Sequence, residues 1–529
     1  MVILVSTSSQ CRTSQRIEMG DGLIMRWSTK ADTENLVDLI STTFRWLPLG
    51  DPAPEGVIPG PNMAMKAATR RLLSGKNAVM GEHDYAVVED PNRGKGKNPI
   101  VACASLHRCL VYYGSVDFYV GKPELIATEP EYRNRGLIRR IIFEMLHPES
   151  EARGDVFQFI PGIGYFYRQF GYEYGISCDS VATIESPSFV PPLGTDKSEP
   201  FILRVATKGD LPFLNRLSNP ERMHQHSVMG MHYTPEYWQW TVHDMYDKPD
   251  LNRFDKIRDT RIIVEAESGK PIGFTVVSYM FFCPQLEAMA LESDVDYVNV
   301  FYPTLRQLFA QSKEHLELTA KEREAAKEQD LSTTNNNDNP ASSSAEPMPI
   351  PFKFFVALHE RHPLSLLLGK NLVRRSDTPG FRLYTRIHHY PAFIRTVAPE
   401  LEKRLANSAL AGVTGRLRLD FYRQVEGSSG KGLEIHFEKG KIAEVNNWAN
   451  SSPEKLLEER LAWKEAGNTP TIFYAAFAPL TFTSLLTGRQ SLEELHWAYG
   501  ENAVSNDDTR LLLNTLFPKG HHRFDVFFW

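Results

Sequence analysis

One stretch of this chain, residues 123–174, limits the possible folds more than any other. It opens with a short apolar strand and a polar turn that ends at Gly136, and a helix with one apolar face follows. A turn of this kind leaves backbone N–H groups unpaired at the start of the helix, where they and the helix dipole attract an anion. The sequence therefore predicts a site for a phosphate or pyrophosphate between a strand and a helix.

Two sets of residues make up the predicted binding region. At the strand end, Leu125, Ile126 and Ala127 offer a backbone N–H group that can hold an oxyanion. The turn and the first helical positions contribute Arg133, Arg135, Gly136, Leu137 and Ile138. Arg139 and Arg140 follow closely and add positive charge. The alternative is a basic surface turn in front of an ordinary amphipathic helix, because so short a pattern also arises by chance.

The spacing Arg133-x-x-Gly136-x-Ile138 resembles the acyl-coenzyme A signature of the Gcn5-related N-acetyltransferase superfamily. That signature reads Arg or Gln, two residues, Gly, one residue, then Gly or Ala, so Ile138 departs from it. The resemblance implies that the turn holds the pyrophosphate of an acyl-coenzyme A, and we expect acetyl-coenzyme A as the cofactor. The departure at Ile138 implies that one backbone contact to the pyrophosphate is altered.

A second resemblance lies just downstream, where residues 156–160 form a predicted buried strand and a short aromatic helix follows. The segment FYRQFGYEYG resembles a Tyr-x-Arg-Phe-Gly-Tyr stretch of the enhanced intracellular survival family of acetyltransferases. The resemblance places Tyr167 on the general-acid tyrosine of that family. Arg168 and Gln169 stand where the family pattern has x and Arg, so the arginine is displaced. The alternative for Tyr167 is an aromatic side chain that packs under the sheet.

The length of 529 residues calls for several domains, and the chain contains an internal repeat. The segment LRVATKGDLPFLNRL (203–217) lines up with MRWSTKADTENLVDL (25–39) at six identical positions. No Arg-x-x-Gly turn follows in the second copy, which we therefore expect to lack the coenzyme site. The resemblance implies an α+β fold, with tandem Gcn5-related acetyltransferase folds of mixed sheets flanked by helices and then a sterol-carrier-protein-like α+β domain.

The predicted domains follow each other along the chain. They are a mobile N-terminal extension (1–21), a coenzyme-binding domain (22–195), a second acetyltransferase-like domain (196–397) and a sterol-carrier-like domain (398–529). Alternating strands, a Leu-Leu-Thr-Gly step and late helices in the last part resemble the domain that the enhanced intracellular survival family carries there. Residues 319–349 are polar and free of aromatic residues, so we predict a disordered insertion in the second domain.

The sequence ends in RFDVFFW, and an apolar terminus predicts burial because termini are normally polar and loose. In the resembled family the last residue reaches the active site and its free carboxylate is the general base. The resemblance therefore places Trp529 in that role, and the alternative is that these residues only fill a gap in the core. We also expect Trp46 and Asp525 in the substrate pocket, and Asp525 becomes the candidate base if the terminus only packs.

Composition excludes several classes of function. With 23% charged residues and a net charge of -6, nothing calls for a nucleic-acid partner. The five cysteines are scattered and form no Cys-x-x-Cys pair, which argues against a disulfide framework or a zinc site and indicates a reducing compartment. The initial MVILV is too short for a signal peptide or a membrane span. We predict a cytoplasmic protein without a metal, and a homo-oligomer is left open.

These features predict an acetyl-coenzyme A dependent N-acetyltransferase whose acceptor is a primary amine on a cationic small molecule or a lysine side chain. Tyr167 is the expected general acid and Trp529 the expected base. Two alternatives remain. A longer-chain acyltransferase of the N-myristoyltransferase type also pairs two such folds and uses a terminal carboxylate, but it lacks a sterol-carrier-like tail. A non-catalytic lipid-binding or scaffold protein would keep affinity for the coenzyme only.

Overall fold

The structure of the protein is a computed structural model, and it describes most of the chain. The described residues are 15–45, 60–178, 181–219, 227–244, 258–279, 284–333, 352–373, 382–422, 431–449, 453–465, 467 and 470–524. Within them, helices cover three β-sheets.

The strands are β1 Arg16–Glu18, β2 Ile24–Trp27, β3 Tyr85–Glu89, β4 Ile100–Tyr113, β5 Val116–Thr128, β6 Gln158–Pro161, β7 Glu173–Ser177, β8 Ala182–Ile184, β9 Phe201–Val205, β10 Ser227–Met231, β11 Arg258–Glu265, β12 Pro271–Ser278, β13 Gln285–Leu291, β14 Phe354–Val356, β15 Arg382–Arg386, β16 Gly415–Phe421, β17 Gly432–Glu438, β18 Lys441–Asn447, β19 Ile472–Phe477, β20 Ala503–Val504 and β21 His521–Arg523. The α-helices are α1 Thr33–Thr43, α2 Met63–Leu72, α3 Leu137–Arg140, α4 His147–Ala152, α5 Leu211–Leu217, α6 Pro235–Gln239, α7 Tyr297–Thr333, α8 Pro363–Leu368, α9 Tyr390–Ala406, α10 Pro453–Glu465, α11 Thr481–Leu486, α12 Leu492–Ala498 and α13 Asp507–Leu516.

The first sheet carries the predicted coenzyme site. Its strands run in the order β1-β2-β3-β4-β5-β6-β15-β7, and β10 and β21 add to the side of β4. At its centre β4 and β5 form a long antiparallel hairpin, and most residues of both strands are buried. Burial on both faces follows from the sequence, because β4 is rich in the β-branched, aromatic and small apolar residues that suit a covered strand.

The two copies of the repeat open with the same local structure. After β2 and after β9, a threonine caps a short 3₁₀ turn in a capping box, and the turn leads into a helix. Arg26 holds Asp32 with two hydrogen bonds of 2.8 and 2.9 Å, and Arg204 holds Asp210 with two of 2.7 and 2.6 Å. The Arg204 guanidinium lowers the pKa of Asp210 to about 2. The six shared residues therefore encode one folding unit twice.

The second sheet exchanges strands with the first, so the sheets do not follow the predicted boundaries. Its order is β8-β14-β13-β12-β11-β9, and β8 comes from the part of the chain assigned to 22–195. In return β15, from the part assigned to 196–397, lies between β6 and β7 of the first sheet. These pairings join residues far apart in sequence, and no local pattern encodes them.

The third sheet, in the order β18-β17-β16-β19-β20, lies with α10 to α13 in the last part of the chain. Helix α9 leads into it without a break at the predicted boundary of 397/398, because Pro399 lies inside this helix. The α+β class with mixed sheets and flanking helices is confirmed. The identity of this last unit as a sterol-carrier-like domain stays a prediction.

Two predictions of disorder are wrong in part. In the N-terminal extension, Arg16–Glu18 pair as β1 with β2, and Gln15 accepts a hydrogen bond of 3.0 Å from the Trp27 indole, while residues 1–14 lie outside the described residues. In the insertion, helix α7 continues to Thr333. Its last turns are rich in Ala, Glu, Lys and Gln, which favour a helix without burial. Residues 334–349 are outside the described part.

Candidate active site

The predicted turn and helix are present. A 3₁₀ turn, Pro130–Tyr132, follows β5, and α3 then begins after Gly136. Gly136 has a φ of 72°, in the left-handed region, and so does Asn134 at 61°. A Cβ atom added to Gly136 would meet no atom within 4 Å, and no side chain caps the helix. The start of the helix thus has open space beside Gly136 and no capping side chain, as an anion site requires.

The arginines of the turn differ in what they contact. Arg133 and Arg135 are exposed and make long hydrogen bonds of 3.3 and 3.4 Å to backbone carbonyls. Arg140, in contrast, is held by Glu144 at 2.6 Å one helical turn later. Its charge is balanced within the helix, so Arg133 and Arg135 are better placed to meet an anion.

Leu137 and Ile138 offer the predicted anion site their backbone groups rather than their side chains. The Leu137 side chain is buried, and the half-buried Ile138 packs against the same apolar cluster under the sheet. The Ile138 side chain, which departs from the family signature, thus fills part of this apolar cluster. A π-helical turn, Ile141–Leu146, joins α3 to α4 into one continuous helix behind the site.

Strands β5 and β6 diverge beside the turn. They are parallel, and the register pairs them only at Gly121 and Gln158, after which β6 pairs with β15 on its other side. Beyond that point β5 bulges at Leu125, which has a φ of 49°. The predicted strand end, Leu125 to Ala127, therefore borders the opening between the two strands.

Tyr167 lies in the 3₁₀ turn Phe166–Phe170 that follows β6. Its ring packs against Phe166, Tyr172 and Tyr384, and an added Cβ at Gly162 would collide with it. The ring is 6% exposed, and within the described part of the chain its hydroxyl has no hydrogen-bond partner. Burial, together with the nearby charge of Glu124, raises the pKa of the Tyr167 hydroxyl. The hydroxyl therefore stays protonated at neutral pH.

The displaced arginine has a structural role beside this tyrosine. Arg168 forms an ion pair of 2.7 Å with Glu173 on β7, and its guanidinium lies 4.6 Å from the centre of the Tyr165 ring. The shift of one position relative to the family pattern thus keeps an arginine at the outer side of the turn.

Three predicted site residues, Trp46, Asp525 and Trp529, lie outside the described residues. The chain can be followed to Phe524, whose ring lies 5.1 Å from that of Phe159 on β6. The described part of the chain therefore ends beside β6.

Sequence reasoning missed a buried polar group on the other face of β5. Lys122 is fully buried and forms an ion pair of 2.7 Å with Glu124. From β4, the His107 ring lies 3.8 Å from the Glu124 carboxylate, and the Ser105 hydroxyl donates a hydrogen bond to the Glu124 carbonyl. The signal was present, since two charged residues alternate with apolar ones in the strand VGKPELIA. Their spacing of two places both side chains on one face.

Replacing Lys122 by methionine should lower the free energy of unfolding by about 3–5 kcal/mol, because the Glu124 carboxylate loses this buried partner. Urea unfolding followed by tryptophan fluorescence measures the change. A Lys122→Met/Glu124→Gln double variant is the control and should recover most of the loss. If the single variant unfolds at the same urea concentration as the parent, this ion pair contributes nothing to the strand.

A group that could hold a metal ion lies in another part of the described structure. His359, Glu360 and His521 each offer a ligand atom, and these atoms lie within 4.8 Å of one another. The Nδ1 atom of His359 accepts a hydrogen bond of 3.1 Å from the Arg361 N–H. The neutral ring therefore carries its proton on Nε2. A metal at Nε2 would move that proton to Nδ1, and the hydrogen bond from Arg361 would be lost.

Comparisons with known proteins identify the domain that contains this site. The family model described as an acetyltransferase (GNAT) domain matches residues 25–175. The chain therefore contains a GNAT acetyltransferase domain, a fold that binds an acyl-coenzyme A, and the match supports an acyl-transferring enzyme. No curated protein matches the chain in sequence. Among its described residues, no helix is both long and apolar enough to cross a membrane.

Solved structures extend the likeness over nearly the whole chain. A conserved protein of unknown function from Enterococcus faecalis V583, described as a probable N-acyltransferase, has a TM-score of 0.58 at 14% identity, with 95% of this chain and 98% of that chain covered. A GCN5-related N-acetyltransferase from Anabaena variabilis gives 0.53 at 13% identity, covering 95% and 99%. Eis1 from Mycobacterium abscessus gives 0.50 at 11%, covering 95% and 99%. The predicted resemblance is confirmed at the level of the fold.

Proposed function

We propose that the protein is an acetyl-coenzyme A dependent N-acetyltransferase that acts on a primary amine. The observation that carries this proposal is the position of Tyr167. Four aromatic side chains pack against its ring, and burial raises the pKa of its hydroxyl. No described residue forms a hydrogen bond with that hydroxyl. Tyr167 follows β6, the strand that diverges from β5, and the turn at Gly136 follows β5.

The donor site is formed by the backbone of the turn and of the strand end. Acetyl-coenzyme A supplies an acetyl group that is activated as a thioester. The N–H groups from Gly136 to Ile138 bind the pyrophosphate, and the exposed Arg133 and Arg135 add charge beside them. An N–H group of the strand end Leu125 to Ala127 stabilises the negative charge that develops on the carbonyl oxygen.

Proton transfer requires an acid and a base. A lysine-type amine has a pKa of about 10.4, so it arrives as ammonium and must lose a proton before it attacks. The carboxylate of Trp529 accepts that proton. Its ordinary pKa of about 3.5 makes it a weak base, so this role requires apolar surroundings that raise the pKa. Tyr167 gives its hydroxyl proton to the departing sulfur.

We further propose that Trp46 and Asp525 form part of the acceptor pocket. A carboxylate at Asp525 favours a cationic acceptor, and an indole ring at Trp46 also attracts an ammonium group through its π face. A polyamine, an aminoglycoside or a lysine side chain meets both requirements.

Competition between donors of different chain length tests the acyl group. The protein is mixed with one amine and equal concentrations of acetyl- and myristoyl-coenzyme A, and the acylated amine is identified by mass spectrometry. We expect the acetylated product. A myristoylated product would replace this proposal by the longer-chain alternative, and binding of both donors without any product would favour the non-catalytic one.

Adding a few residues after Trp529 should lower turnover about 10²-fold, because the carboxylate moves away while every side chain is kept. The KM for acetyl-coenzyme A should change little. The measurement is steady-state turnover of the extended and the original protein, with the same residues added at the N-terminus as the control. Equal turnover would show that Trp529 only packs, and Asp525 would become the candidate base.

A further inference from the structure

The bulge in β5 is the most unusual backbone feature near the reaction site. Cys103 pairs with Ala127 and Ser105 pairs with Glu124, so Ala104 alone on β4 faces two residues of β5. One of those two is Leu125, whose φ of 49° is disfavoured for a side chain with a Cβ. Something in the neighbouring structure must therefore hold the bulge in place.

Side chains of β4 contact the carbonyl groups at the bulge. The Ser105 hydroxyl donates a hydrogen bond of 2.8 Å to the Glu124 carbonyl, and the Cys103 thiol lies 3.8 Å from the Leu125 carbonyl. Both side chains are fully buried, so no water replaces them. The Glu124 side chain is tied down at the same time by Lys122.

His107 fixes the direction of the Ser105 hydroxyl. Its Nε2 atom lies 3.1 Å from the Ser105 oxygen, and that oxygen has already given its single proton to the Glu124 carbonyl. The neutral ring therefore donates from Nε2 and leaves Nδ1 unprotonated. Burial and the charges of Lys122 and Arg153 lower the pKa of His107 well below its ordinary value, which keeps the ring neutral and this arrangement intact.

We propose that Ser105, oriented by His107, is a positioning residue for acyl transfer. It holds the bulge so that one backbone N–H group of the strand end, Leu125 to Ala127, stays available at the opening between β5 and β6. The inference rests on the proposed function, in which this N–H group stabilises the carbonyl oxygen. A shift of such a donor by a fraction of an ångström weakens it where charge develops, so the effect falls on turnover rather than on binding.

Ser28 provides a matched control. It is also fully buried, directly after β2, and its hydroxyl donates a hydrogen bond of 2.7 Å to the Glu82 carbonyl and accepts one of 3.2 Å from the Tyr85 N–H. Ser28→Ala and Ser105→Ala thus remove the same group and leave the same kind of carbonyl unpaired. We expect Ser105→Ala to lower kcat about 10-fold or more with an unchanged KM for acetyl-coenzyme A, and Ser28→Ala to leave kcat unchanged. Ser105→Thr keeps the hydroxyl and should restore most of the loss.

Hydrogen exchange gives a second readout that needs no turnover. The amides of Leu125, Ile126 and Ala127 should exchange faster in Ser105→Ala than in the parent or in Ser28→Ala. Unchanged exchange, or a kcat equal to that of Ser28→Ala, would overturn the inference. A parent protein that releases no thiol with any amine would instead contradict the proposed function, and the exchange rates would still decide whether Ser105 holds the bulge.

Discussion

Replacing Tyr167 by phenylalanine should lower turnover about 10²-fold or more while acetyl-coenzyme A still binds. Phenylalanine keeps the ring, so the packing against Phe170 and Tyr384 is preserved and the protein stays folded. Only the proton for the departing sulfur is lost. Steady-state release of coenzyme A thiol, measured at saturating donor, gives the ratio of turnover numbers.

Tyr165 is the matched control for this substitution. It lies two residues earlier in the same segment, but its ring is 74% exposed. Tyr165→Phe should change turnover less than about twofold, because surface substitutions of this kind have small effects. Because the pKa of Tyr167 is raised above 10, loss of its proton should not limit the activity of the parent below that pH. If Tyr167→Phe turned over as fast as Tyr165→Phe, Tyr167 would be a packing residue.

Replacing Gly136 by aspartate should weaken acetyl-coenzyme A binding about 10²-fold or more. The new carboxylate would stand at the start of α3, where the pyrophosphate is expected, and like charges in contact cost several kcal/mol. The site has room for the side chain, since an added Cβ meets no atom within 4 Å. Isothermal titration with acetyl-coenzyme A measures the change.

Gly154 is the matched control, because it also has a left-handed backbone conformation but lies outside the turn. Its φ is 76° and an added Cβ would also meet nothing within 4 Å, so Gly154→Asp carries the same strain and the same charge. Its affinity for acetyl-coenzyme A should equal that of the parent. An unchanged affinity in a folded Gly136→Asp variant would show that the turn does not bind the coenzyme.

The turn, the helix behind it and the aromatic segment could be predicted from the sequence because each is encoded locally. Gly136 marks the left-handed residue before α3, and the apolar spacing of the following helix is visible in the chain. The repeat was also readable, since the arginine and aspartate that lock each opening are identical in the two copies. Patterns of this kind predict the local structure without knowledge of the residues that pack around it.

The exchange of strands could not be predicted, because it depends on pairings between distant residues. Strand β15 lies between β6 and β7 although more than two hundred residues separate it from them in sequence. The buried group around Glu124 was missed for a related reason. Its members come from two strands, and the register of the β4–β5 hairpin places Ser105 opposite Glu124.

Helix α7, which continues into the predicted insertion as far as Thr333, shows a limit of composition as a guide. A polar segment cannot form a core, but Ala, Glu and Lys favour a helix without one, and α7 extends from an end that is anchored by buried residues such as Leu305 and Leu308. Low hydrophobicity therefore did not predict the conformation of this segment up to Thr333.

The most direct test of the proposed reaction is the release of coenzyme A thiol from acetyl-coenzyme A by the purified protein, with and without primary amines. Polyamines, aminoglycosides and a lysine-containing peptide form the panel, and the Tyr167→Phe variant is measured beside the parent. We predict release that depends on an amine, acetyl groups on the amine nitrogen, and a rate about 10²-fold lower in the variant. Tight binding of acetyl-coenzyme A with no amine-dependent release, or equal rates for the two proteins, would contradict the assignment.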